Sequence, residues 1–160
     1  MPITSIYDAE SLIVAKLEDM VSSDMMFTEA DSAGINNSTF DGKDSDDERV
    51  GILVLNSGFR TNAMFGANKK QELKQLWQVV VVCPRELYHS HGGKKVIDIM
   101  VRLKGWRVSA EIGIMQLIDD ERGFNRPDYA QDVVYLPMVF KLKTSISWWV
   151  IWAVKRMQHK

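Results

Sequence analysis

The residue types best suited to chemistry lie in one stretch, LWQVVVVCPRELYHSHGG, Leu76 to Gly93. It holds the chain's single cysteine, Cys83, and two of its three histidines, His89 and His91, spaced H-x-H. A thiolate and two imidazoles are three of the four ligands of a tetrahedral zinc site. The same set could make a Cys–His nucleophile pair, given a third group to orient the base. Neither pattern is complete. Zinc ligand pairs are usually spaced C-x2-C or H-x3-H, whereas here one thiol precedes two histidines on a polar loop, and His159 lies far off at the C-terminus. No nucleophile signature surrounds Cys83, and the residues before it are core-like. The stretch therefore reads as a small buried thiol at a strand end, followed by two solvated histidines. A small metal-dependent enzyme using Cys83, His89 and His91 is the alternative.

Three other clusters bear on chemistry. The acidic run DGKDSDDE, Asp41 to Glu48, has the charge to attract calcium, but not the ligand order of an EF-hand loop. It reads as a solvated loop or a negative patch that meets a partner. HGGKK, His91 to Lys95, could hold an anion on free amides with two lysines converging, although Gly-Gly is more often a loop-to-helix joint. Neither G-x-x-x-x-G-K-[ST] nor G-x-G-x-x-G occurs. Trp148, Trp149 and Trp152 crowd five residues near the C-terminus, and tryptophan is enriched where subunits meet.

The elements that must position these residues follow from periodicity. Ser5 to Val21 reads as an amphipathic helix, with Ile6, Ile13, Leu17, Met20 and Val21 on one stripe and Ser5 and Asp8 as a capping box. Residues 28–48 read as a long polar loop rich in Ser, Asn, Asp and Gly. Val50 to Gly58 and Gln71 to Val82 read as buried strands joined by a polar connection over 59–70. The tetrad Val79 to Val82 is apolar on both faces, which marks an interior strand of a covered sheet or one in a subunit interface. Pro84 cannot donate to a ladder and should end the pairing. Lys94 to Lys104 reads as a second helix with Val96, Ile99, Met100 and Leu103 inward, closed by Gly105. Ile112 to Ile118 and Val133 to Lys143 complete the strands, and DDERGFNRPD between them reads as a polar loop or hairpin connection. The Trp-rich extension, 145–160, reads as strand or short helix. The order predicts one α+β domain over 1–160: a mixed, mostly antiparallel sheet of about four to five strands flanked by two helices.

Composition narrows the partners. A net charge of −1 gives no global pull toward nucleic acid or anionic membrane, so neither sequence-specific nucleic-acid binding nor membrane association is expected. One cysteine allows no intrachain disulfide and suits a reducing compartment. MPITSIYDAE lacks the basic and apolar regions of a signal peptide, and no apolar window reaches the ~20 residues of a spanning helix.

Six pieces in order then resemble a known family. They are IYDAESLIVAKL, VGILVLNSG, LWQVVVVCPRE, VIDIMVRLKGW with its Gly105–Trp106 pair, GIMQLIDDERG and YLPMVFKLKT. In this order the chain resembles the tail-terminator family of Mu-like, contractile-tailed bacteriophages, and more remotely the terminators of long non-contractile tails. The resemblance covers most of residues 5 to 144. It implies a structural subunit of a hexameric ring that caps the head-proximal end of the tail tube, stops tube polymerisation and offers a surface for head–tail joining. Its expected partners are copies of itself, the tail tube protein, head–tail connector or neck proteins, and the tail sheath. Its expected location is the virion tail, after assembly in the host cytoplasm. It implies no catalytic residue and no cofactor. The long loop 28–48 and the extension 145–160 depart from the family pattern. A head–tail connector or neck subunit is the nearest competing reading. On the tail-terminator reading, Trp148, Trp149, Trp152, Phe59 and Arg60 are the candidate contact residues, the last two on the partner-facing segment 59–70.

Overall fold

The computed structural model describes residues 5, 7–61, 70–110, 112–118, 127–130 and 132–147. Its first helix, α1, spans Asp8–Leu17 and buries Ala9, Ile13 and Leu17, one per turn on a single face. The expected Ser5 and Asp8 box forms only in part, ahead of the helix, whose N-cap is Tyr7. The Ser5 N–H donates to Asp8 Oδ2 at 3.1 Å, and Ser5 Oγ accepts from Tyr7 N–H at 3.1 Å. The helix is shorter than the periodicity predicts, because Glu18–Met20 tighten into a 3₁₀ turn. Carbonyls at the end of α1 and of this turn find cations on the second helix, α2, Gly93–Leu103. Lys95 Nζ donates to the Met20 carbonyl at 2.7 Å, and Arg102 donates to the Lys16 carbonyl at 3.3 Å and pairs with Asp19. Orphan acceptors and the negative end of the α1 dipole are thereby satisfied together.

Among the described residues, six strands form one mixed sheet: β1 Met26–Thr28, β2 Gly51–Thr61, β3 Lys70–Pro84, β4 Ile112–Leu117, β5 Asp128–Ala130 and β6 Val133–Ser147. The order is β1-β2-β3-β6-β4, with β5 pairing the start of β6. Only β1–β2 is parallel. The fold is α+β, as the element order predicts, with two strands more than its lower bound. The unforeseen ones, β1 and β5, are three residues each, too short to show a period. β3 and β6 pair over their whole lengths and, as expected, pairing ends at Pro84, opposite Val133. A second proline, Pro137, sits where β6 lies between its β5 and β4 pairings, so its missing N–H costs no ladder bond on that side.

The valine tetrad is covered on both faces from within the chain. Val79 and Val81 pack with Ile13 and Leu17 of α1 and Ile99 and Leu103 of α2, while Val80 and Val82 pack with Met25 and Phe40. Of the two expectations for the tetrad, the structure selects a covered interior strand over a subunit interface. The cover on the second face is the segment expected to be a long loop. Residues 22–48 instead wind through β1 and the 3₁₀ turns Ser23–Met25, Glu29–Gly34, Asn37–Phe40 and Asp47–Arg49. Its Ser, Asn and Asp residues cap these turns: Thr28 with Asp31 and Asn36 with Thr39 make reciprocal boxes. Of its large apolar residues, Met25, Phe27, Ile35 and Phe40 pack into the cluster on this face, and Met26 packs with the helix-side cluster. Gly51 lets this layer close, since a Cβ there would meet the Met25 carbonyl and the Phe27 ring at 2.9 Å each.

Two further boundaries differ from expectation. β2 continues past Gly58 to Thr61 through a bulge after Asn56, where Gly58 takes φ +121 and donates its N–H to Asn56 Oδ1 at 2.8 Å. Phe59 and Arg60 are therefore strand residues, not the start of a loop, and 62–69 lie outside the described residues. β6 runs on to Ser147, so the first residues of the Trp-rich extension are strand.

Candidate functional site

Cys83 is the penultimate residue of β3, with its side chain fully buried. A Cβ built on Gly92 would stand 2.9 Å from Cys83 Sγ and 3.1 Å from Leu136 Cδ1, so the thiol packs directly on a glycine backbone. Burial pushes the thiol pKa up to about 11, away from the thiolate that attacks or ligates. The H-x-H pair is not on an open loop. Tyr88–Gly92 form a π-type turn that runs straight into α2. His89 lies against the Tyr88 ring, centroids 4.1 Å apart. His91 Nδ1 meets Ser90 Oγ at 2.9 Å, and its Nε2 stands 3.7 Å from Asp47 Oδ1. Each of the three side chains thus has its own surroundings, and no group of three His, Cys, Asp or Glu gathers as metal ligands among the described residues. The structure does not assemble the trio that the sequence offers.

The second candidate, HGGKK, also separates. Gly92 is explained by the close approach of Cys83, and Lys95 is spent on the Met20 carbonyl. Lys94 beside it is exposed. Beside this stretch, Tyr88, His89, Gly93, Val96, Pro127, Leu136 and Pro137 line a shallow hollow of about 320 Å³, with Tyr129 edge-on to Tyr88 at 5.6 Å.

The acidic run is an anchored surface rather than a free loop. Lys43 pairs with Asp24, whose carboxyl its hydrogen bond holds below the usual value. Arg49 bridges Glu86 at 2.7 Å and Asp46 at 3.5 Å, and the Glu86 contact raises its pKa. Between them Phe40 to Asp46 and Arg49 surround an open concavity of about 510 Å³. Asp41 and Asp44 are exposed on its wall and have no ion pair among the described residues.

Of the expected contact residues, Phe59 is 53% exposed on β2. Arg60 lies beside it in the strand, and its side chain is outside the described set, as are Trp148, Trp149 and Trp152. The sequence reading missed Ile97 and Val101 of α2, exposed to 58% and 79%. The signal was present: they sit four residues apart, off the stripe of Ile99 and Leu103 that faces the sheet. Lys94 and Lys104 extend their line at spacings of three, giving the order cation, apolar, apolar, cation along one helix edge. No protein-family model matches the chain, and no curated protein matches it.

Proposed function

We propose that this chain is a structural subunit of a bacteriophage tail, a terminator that forms a ring on the head-proximal end of the tail tube and stops its growth. One observation carries the reading. The six stretches that resemble the tail-terminator family supply α1, β2, β3, α2, β4 and β6, the frame of a single sheet-and-helix unit, in the order the resemblance requires. Of the two departures from the family pattern, residues 28–48 cover one face of that frame, and residues 148–160 lie outside the described residues. The exposed Ile97 and Val101 and the exposed Phe59 further suit a subunit with neighbours. In this role the protein works by shape: it matches the last layer of tube subunits and presents a surface on which no further layer can add.

The test is a growth assay with tail-tube subunits from the same genome. Adding the protein should shorten the tubes in proportion to its concentration, and negative-stain images should show a ring at one tube end. Unchanged tube lengths with bare ends, or selective binding to a portal-side adaptor, would reject the terminator in favour of the neck subunit.

A further inference from the structure

The charges of this chain are strongly segregated despite a net charge of −1. Residues 22–48 carry eight carboxylates and one lysine, whereas residues 93–107 carry five cations and one carboxylate. The fold puts these segments on opposite faces of one sheet. Phe40 and Met25 hold the acidic coil on one face, and Ile99 and Leu103 hold α2 on the other. Along α2 and its C-cap Lys104, the exposed line Lys94, Ile97, Val101, Lys104 offers two apolar side chains between two ammonium groups. On the coil an open concavity of about 510 Å³ displays Asp41 and Asp44.

We propose that copies of this chain associate head to tail, with the Lys94–Ile97–Val101–Lys104 edge of α2 in one copy seated on the acidic coil of the next. The partner is a second copy because each chain bears both halves of a complementary contact on opposite faces. A twofold dimer through α2 would oppose like charges, and so would one through the coil. A contact between two different faces is heterologous, and repeated copies of it close into a ring or run on as a filament. The attraction is long-range and screened by salt, while Ile97 and Val101 supply the desolvated centre. This rests on the ring reading only for closure; the contact itself stands on the charge pattern.

Sedimentation velocity of the full chain over a concentration series, at low and high salt, tests it. We expect reversible association at low salt that weakens as salt is raised. K94E/K104E and D41K/D44K should each weaken association about tenfold or more, and Val101→Asp should do the same. An equimolar mixture of the two charge-reversed proteins should regain association, because every contact in an alternating chain is then complementary. Misfolded variants could not do this, and circular dichroism of each provides a separate check. A wild-type monomer throughout the low-salt series overturns the proposal. So does wild-type association by the reversed variants, or a mixture that stays monomeric. In the tube assay the two readings separate: association without any effect on tubes removes the terminator but keeps this contact. Tube capping that the reversals leave intact removes the contact but keeps the terminator.

Discussion

Gly92 is held to a glycine by a neighbour, not by its own backbone. Its conformation is ordinary right-handed helix, with φ −64 and ψ −50, which any residue adopts. The constraint is the Cys83 sulfur 2.9 Å from the position a Cβ would take, with Leu136 Cδ1 at 3.1 Å behind it. A methyl there must push the end of β3 from the start of α2, and overpacking of this kind costs about 1–3 kcal/mol. Gly92→Ala should therefore lower stability by that order. In a Cys83→Ala background, where the sulfur is gone, most of that cost should vanish. Urea midpoints of the four proteins give the coupling directly. Additive effects would mean that the two residues do not touch. The residue type that looked most like a ligand is thus accounted for by packing, with burial keeping its thiol protonated. His89 and His91 belong to neither buried cluster, so His89→Ala and His91→Ala serve as the controls.

At the scale of elements, the coil 22–48 is the part with most at stake on few residues. Phe40 is 2% exposed and packs beside Met25, Leu53, Val80 and Val82, and only the three-residue β1 ties the segment to the sheet by strand pairing. Truncating a buried phenylalanine typically costs about 3–5 kcal/mol. Phe40→Ala should lose about that much in chemical denaturation, and limited proteolysis should cut within 22–48 before any other described segment. Protection equal to wild type would show that the coil is held by its capped turns and ion pairs instead. The same segment marks the limit of what the sequence made legible. The helices and the long strands were readable because Ile13 and Leu17, or Leu136, Met138, Phe140 and Leu142, repeat at the period of their element. The coil has no period. Its three-residue strand and 3₁₀ turns place Met25, Phe27, Ile35 and Phe40 through local caps and through the space above Gly51, which is a tertiary fact. The candidate site was half legible for the same reason. Residue types at 83, 89 and 91 suggested convergence, and only the π-type turn and the packing of Gly92 show that they diverge. Ile97 and Val101 could have been found by asking which apolar residues of α2 fall off its buried stripe.

For the molecule as a whole, the layers differ in what their loss would undo. The helix-side cluster joins α1, α2 and both central strands, whereas the coil-side cluster is smaller and leaves the sheet's long pairings untouched if it opens. β3 and β6 are fifteen-residue strands paired end to end, although the chain between them includes α2 and β4. Such non-local pairings release only in global unfolding, while a layer with few buried contacts opens at lower free energy. Native-state hydrogen exchange should therefore show the amides of 22–48 exchanging through a sub-global opening. Val79 to Val82 and Val134 to Phe140 should exchange only at the global rate. A single rate for both layers would make the coil part of one cooperative unit. If the acidic coil is the seat for the next copy's α2, its amides should also be the ones that slow when the chain is concentrated at low salt. Those of β3 and β6, covered already by their own chain, should change only as overall stability does.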